Sequence, residues 1–371
     1  MFKKNDIINN KFEVLFSIQT TTFGSSYRVK GIEDGKIYML KVYEKEKLND
    51  WHFNEKGDLI EAEIHQQIDH PNISKFVACE LISFQEQDLY IYVVEFISGE
   101  TLQERIDREG NPNPSFATNM MKKIMSAVSY LHSFDSPIIH SDITPLNIML
   151  DMSSGTLEPV LIDFGLSKYK QYSTFYNSSI PSIFYCAPEQ FSGEYSIKSD
   201  IFSLGALYYM LMEGYFPWHN KFNISDINSV DLQEKIINNR NSKLTFTAIN
   251  AIEETIKLSI VKSLLPNASS RFESVDDFYK SIKPMIWHLE GPIGGLMNCA
   301  LRYVMEAAYA SGVKVLLDGT GPDEAFGGYQ NHHNLYIAEL LERGDKNARE
   351  HIQNYSKSAH IHVGIVGILI N

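Results

Sequence analysis

The sequence predicts an α+β fold in which a strand-rich part precedes a helix-rich part, and three observations predict it. Phe12 to Val94 is a series of short segments rich in Val, Ile, Tyr and Phe, broken by one helical stretch around Asp58 to Ile68. From Pro114 onward longer helical patterns take over, at Phe116 to Phe134, Ser199 to Met212 and Ala248 to Leu264, separated by loops holding Pro, Gly, Asp and Asn. After Ile282-Lys283-Pro284 the composition shifts again, and half of the 22 glycines fall in the last quarter of the chain. A boundary near Pro284 to Trp287 divides the chain into residues 1–285 and 286–371.

Composition narrows the function classes. With 371 residues and 44% hydrophobic content the chain can bury at least one sizeable core. A net charge of -13 argues against binding nucleic acid, because neutralising phosphates needs a surplus of Lys and Arg. Cys79, Cys186 and Cys299 lie far apart without metal-ligand spacing, and an odd count gives no disulfide framework, which fits the reducing cytoplasm. Lys3 and Lys4 are followed by polar residues and not by an apolar signal core, and no apolar run is long enough to span a bilayer, so no membrane association is expected. The apolar run Ile361 to Ile370 is too short for an anchor.

The chemistry is carried by short motifs in a fixed order. Lys41 follows the strand Ile37 to Leu40, and Glu61 lies on the helix before His70-Pro71-Asn72-Ile73. His140-Ser141-Asp142-Ile143-Thr144-Pro145-Leu146-Asn147 follows the apolar pair Ile138-Ile139, and Asp163-Phe164-Gly165 follows Val160-Leu161-Ile162. Ala187-Pro188-Glu189 comes next, Asp200 opens the following helix, and Arg271 stands near the end. In order and interval this series resembles a Hanks-type protein kinase domain. The resemblance implies a bilobal protein-kinase-like fold using ATP and Mg, with a protein as substrate. It assigns Asp142 as the acceptor of the hydroxyl proton, Lys41 and Glu61 as the pair aligning the phosphates, and Asn147 and Asp163 as metal ligands. One carboxylate and one amide oxygen suit Mg²⁺, a hard cation that takes few ligands from protein. Ile18, Gly24, Lys41, Glu95, Ile97 and Met149 are the expected nucleotide-binding residues, and Arg271 is expected to pair with Glu189.

Several positions depart from the family. Its three loop glycines fall at Gln19, Thr21 and Gly24, so close backbone approach to the phosphates is restricted and weaker ATP binding is expected. Met39 and Ser26 alter the adenine pocket, beside Val94 as the gatekeeper. Ser141 replaces the arginine that receives an activation-loop phosphate, which implies activity independent of that modification, although Ser173, Thr174, Ser178 and Ser179 remain open to it. Thr144 stands where Ser/Thr kinases place a lysine, an expected attenuation. Ser182, three residues before Tyr185, favours Ser/Thr over Tyr phosphorylation.

In the tail, a helical stretch Leu296 to Tyr309 and a strand Val313 to Leu317 lead into Asp318-Gly319-Thr320-Gly321-Pro322-Asp323-Glu324-Ala325-Phe326-Gly327-Gly328-Tyr329. This resembles part of the asparagine synthetase C-terminal domain, and implies a partial α/β asparagine-synthetase-like appendage. The Ser-Gly-Gly-x-Asp-Ser pyrophosphate loop is absent from the sequence, Phe2 stands where a glutaminase needs cysteine, and Thr320 replaces a glutamate. Packing or assembly, through self-association or a partner protein, is the expected role of the tail. His332-His333 has no third ligand in spacing and is assigned no metal. A pseudokinase scaffold, on Gln19, Thr21, Met39 and Thr144, and an amidotransferase-related ligase, on the tail, are the alternative readings. The complete set Lys41, Glu61, Asp142, Asn147 and Asp163 favours the kinase.

Overall fold

A computed structural model of the chain describes residues 2–20, 24–164, 168–169, 183–218, 232–240, 242–247 and 254–282. The domain boundary at 285/286, all of the tail motifs, Gly165, Thr21, Ser173 to Ser179 and Ser182 lie outside the described residues. Six strands, β1 (Ile7–Ile8), β2 (Phe12–Thr20), β3 (Gly24–Gly31), β4 (Ile37–Glu44), β5 (Phe76–Phe84) and β6 (Gln87–Glu95), form one sheet in the order β1-β2-β3-β4-β6-β5. Every neighbouring pair is antiparallel. Period-two alternation sorts the faces of β4: Tyr38, Leu40 and Val42 are buried with Val14, Val29, Leu89, Ile91 and Val93. Met39 and Tyr43, from the opposite face, pack with Tyr90, Tyr92 and Val94 and with Leu59 and Ala62 around α1 (Ile60–His65).

Two expectations about these elements change. The strand does not stop at Leu40: Val42 prolongs the alternation, the ladder runs to Glu44, and Lys41 sits inside it opposite Tyr92. The helix expected from Asp58 to Ile68 is the six-residue α1 alone, for Leu59 at its N-cap offers no side-chain hydrogen bond and i→i+3 bonds take over at Gln67 and Ile68.

The chain then passes through β7 (Gly99–Thr101) and α2 (Leu102–Glu109), which starts on a reciprocal Thr101–Glu104 cap. The 19-residue α3 (Pro114–His132) begins at an Asn113 cap followed by proline, and buries Ala117, Met120, Met121, Ile124, Met125, Val128 and Leu131 on one side. β8 (Ile138–Ile139), β9 (Ile148–Asp151), β10 (Glu158–Leu161) and β11 (Lys168–Tyr169) complete two small antiparallel sheets, ordered β10-β9-β7 and β11-β8. They carry the loops that follow.

α4 (Ile197–Glu213) is buried from Ser199 to Glu213, which makes it the axis of the helical core. Asp200 does not open it. Ser196 caps it, so Asp200 falls inside the first turn, and Gly214 at φ 89° closes the other end. α5 (Leu232–Asn239), α6 (Glu254–Ser263) and α7 (Val275–Ser281) follow, α6 lying within the helical pattern expected from Ala248 to Leu264, whose residues 248–253 are outside the described residues. A Cβ on Gly205 would stand 2.0 Å from Ser263 Oγ, so glycine permits the close approach of α4 and α6.

Candidate active site

The side of β4 that faces α1 and the first turn of α1 bring two charged side chains together. Lys41 Nζ lies 3.4 Å from Glu61 Oε1 and 3.3 Å from Asp163 Oδ1. Lys41 and Glu61 are both largely enclosed, whereas Asp163 is half-exposed. Burial pulls the lysine pKa down, but the two carboxylates outweigh it and the net shift is upward, so the ammonium persists at neutral pH. Burial pushes the Glu61 carboxyl up, against the opposing pull of Lys41, and the negative charge of Asp163 adds to the rise. Tyr43, two residues along the same strand face, donates from its hydroxyl to Glu61 Oε2 at 3.0 Å.

Asp200 builds the second half of the site. Its fully buried carboxylate accepts from the His140 and Ser141 amides, each at 2.9 Å, and contacts His132 Nε2 at 2.8 Å. Those bonds hold the chain at Ser141 in the left-handed region, φ 70°, a conformation that costs energy without glycine. Ser141 Oγ turns inward to the Ile139 carbonyl at 3.4 Å, and its own carbonyl accepts from Gln190. Asn147 Nδ2 then donates to Asp142 Oδ2 at 2.7 Å and to the Asp142 carbonyl at 2.9 Å. The Ile162 amide donates to the Asn147 carbonyl at 2.9 Å, which ties this loop to the strand end that presents Asp163, itself at φ 67°.

Three rings connect the two halves. Phe164 lies between His65 of α1, with ring centroids 4.7 Å apart, and His140, at 5.3 Å. Burial pushes the His140 pKa down. Among the expected nucleotide residues, Ile18 is exposed on β2, Gly24 begins β3, Glu95 ends β6, Ile97 follows it half-buried, and Met149 is half-buried on β9. Val94 is buried, opposite Met39 in register. Arg271 meets Glu189 through two parallel bonds of 2.6 and 2.9 Å, while carbonyls of Leu265, Lys198 and Pro266 accept its remaining donors.

Sequence reasoning overlooked Tyr43, His65 and Tyr92. Part of the signal was present: Tyr43 shares a strand face with Lys41 at i+2 and His65 shares a helix side with Glu61 at i+4, whereas the pairing of Tyr92 with Lys41 comes only from the ladder register.

Residues 12–280 match the family described as protein kinase domain, and residues 270–362 match the family described as asparagine synthase. Calcium-dependent protein kinase 4 of Plasmodium berghei (strain Anka) is 28% identical over 281 residues, covering 73% of this chain and 49% of that protein. Serine/threonine-protein kinase PrkC of Bacillus subtilis (strain 168) is 28% identical over 279 residues, covering 74% of this chain and 40% of its own. Myosin light chain kinase A of Dictyostelium discoideum is 32% identical over 183 residues, covering 49% and 59% respectively. The chain therefore spans less than two thirds of the length of each of these relatives. The family match covers well over half of the chain, from the first long strand to the last described helix: this chain belongs to the protein kinase family.

Proposed function

We propose that the chain is an ATP- and Mg-dependent protein kinase of the Ser/Thr type, with residues 1–285 as the kinase and 286–371 as an asparagine-synthetase-like appendage. The observation that carries this reading is the lysine set between two carboxylates, Glu61 at 3.4 Å and Asp163 at 3.3 Å, beside a loop in which Asn147 is hydrogen-bonded to Asp142. The donor chemistry fits a hard cation: Asn147 spends its Nδ2 on Asp142, which turns the amide oxygen away from that bond, and Asp163 contributes a half-exposed carboxylate. Asn147 and Asp163 would hold Mg²⁺, and bound Mg-ATP supplies the transferable phosphoryl group together with charge to offset its oxygens.

The chain's own residues do the rest. Lys41, charged at neutral pH, attracts and orients the phosphate oxygens, and Glu61 keeps its ammonium from swinging away. Asp142 orients the acceptor hydroxyl and takes its proton at the carboxylate. Ile18, Gly24, Glu95, Ile97 and Met149 would border the nucleotide. Ser/Thr acceptors are supported by the similarity to the serine/threonine-protein kinase PrkC. Since Ser141 is buried and turned to a backbone carbonyl, we read the activity as independent of a loop phosphate. A cytoplasmic setting agrees with the free cysteines Cys79 and Cys186, and among the described residues no helix is long and apolar enough to cross a membrane. The tail is read as an assembly segment, for self-association or a partner protein.

One specific observation favours a second reading, a pseudokinase. The hydroxyl of Thr144 is buried and, among the described residues, without a hydrogen-bond partner, at a position where family members carry a cation. The experiment that separates the two is incubation with labelled ATP, Mg²⁺ and a generic protein acceptor, beside Asp163→Asn. The wild-type chain is expected to transfer label and the variant to lose it. Label transfer that survives Asp163→Asn sinks the reading.

A further inference from the structure

α1 carries Glu61 yet is poorly equipped to hold itself in place. It is six residues long and has no side-chain cap, and a helix that short gains little from its own hydrogen bonds. Its position is set by tertiary contacts. The ion pair to Lys41 is one of these, but Lys41 is shared with Asp163.

Three side chains outside the family's motifs add further anchors. Tyr43 donates to the Glu61 oxygen next to the one facing Lys41. One turn along α1, both ring nitrogens of the buried His65 are engaged: Nε2 meets the Ser74 carbonyl and Nδ1 meets the Tyr92 hydroxyl. A carbonyl only accepts, so Nε2 carries the proton, Nδ1 accepts, and the tyrosine donates. Tyr92 stands opposite Lys41 in the ladder, its ring 5.7 Å from the ammonium and 6.4 Å from the ring of Tyr43. The imidazole also stacks on Phe164, the residue after Asp163. An aliphatic side chain at position 65 would fill the space and make neither hydrogen bond.

We propose that Tyr43, Tyr92 and His65 are positioning residues, a hydrogen-bonded network that holds α1 against the sheet so that Glu61 stays on Lys41 and Phe164 stays under the helix. The proposal rests on the kinase reading above. It makes the geometry of phosphoryl transfer a property of the sheet face itself.

The test uses the full chain, with initial rates of label transfer counted per folded molecule by far-ultraviolet circular dichroism. Each of Tyr92→Phe, His65→Met and Tyr43→Phe leaves a buried donor or acceptor unsatisfied and should lower kcat/KM about tenfold. The His65→Met/Tyr92→Phe double variant should lose little more than either single one, because both break the same bond. His65→Gln, whose amide can donate to Ser74 and accept from Tyr92, should recover to within about twofold of wild type. A merely structural histidine would not give that rescue or that non-additivity. Equal rates for His65→Gln and His65→Met, additive losses, or wild-type rates in Tyr43→Phe and Tyr92→Phe overturn the proposal. If His65→Met does not fold, the two tyrosine variants and His65→Gln decide it. A wild-type chain that transfers no label removes the kinase reading and this inference with it.

Discussion

Lowering the pH from 7 to 4 should destabilise this protein in a way that a single substitution, His65→Gln, reduces. Burial pushes the His65 pKa from 6.5 down to about 4, with the Ser74 carbonyl, Lys41 and Asp163 making smaller and partly opposed contributions. A histidine depressed on folding is neutral in the native state and titrates earlier in the unfolded chain. Its contribution is therefore complete above the unfolded value of 6.5 and is lost as the pH falls through the folded value of about 4. Each pH unit between the two is worth about 1.4 kcal/mol, so the full loss is about 3 kcal/mol, with about 2 kcal/mol already gone at pH 5. His140 is shifted in the same direction by burial, and Glu61 in the opposite sense for stability, so the wild-type curve alone mixes several groups. Glutamine at position 65 keeps the shape and both hydrogen bonds without a titrating group, so the difference between the two proteins isolates His65. Urea unfolding followed by tryptophan fluorescence at pH 7, 6 and 5 supplies the numbers. Identical loss of stability in the two proteins between pH 7 and pH 5 would refute the assignment of a neutral, buried His65.

Arg271→Met should cost about 3–5 kcal/mol in the same unfolding assay, since it strands the Glu189 carboxylate among buried groups; a loss below about 1 kcal/mol would contradict the bidentate pair. Gln19→Gly/Thr21→Gly should tighten ATP binding measured by calorimetry, because the backbone gains freedom to close on the phosphates; unchanged or weaker binding rejects the idea. A chain ending at Pro284 should keep label transfer while the isolated segment from Trp287 to Asn371 aggregates or stays partly unfolded, as a half-domain cannot cover its apolar faces. A tail that folds cooperatively alone and converts ATP and a carboxylate to AMP and pyrophosphate would instead restore the ligase reading.

The order of strands before helices was legible because the apolar period changes from two to 3.6 near Pro114. The grouping of Lys41 with Glu61, and of Glu189 with Arg271, followed from the order of motifs and appears in the structure as 3.4 Å and bidentate contacts. Boundaries were less legible. Val42 carries the strand past Lys41, and Ser196 starts α4 ahead of Asp200, because caps and ladder partners fix ends that a hydrophobic pattern leaves loose. The network of His65 and Tyr92 was missed for a different reason. A histidine on an apolar helix face reads as core, and its two hydrogen bonds go to Ser74 and Tyr92, nine and 27 positions away, where no local pattern connects them.

Gly24 separates two demands that a glycine-rich loop normally blends. It begins β3, where a Cβ would fall 1.7 Å from the Val42 carbonyl oxygen, so any side chain there collides with the backbone of the neighbouring strand. Gln19, by contrast, is exposed on β2 and already carries a long side chain in a folded sheet. In a library randomised at both positions, a screen for cellular abundance alone should strip out every replacement of Gly24 and pass nearly all replacements of Gln19, whereas a screen for phosphotransfer would sort position 19 as well. The glycine this chain retains answers to assembly of the sheet, and the one it lacks at position 19 answers only to turnover.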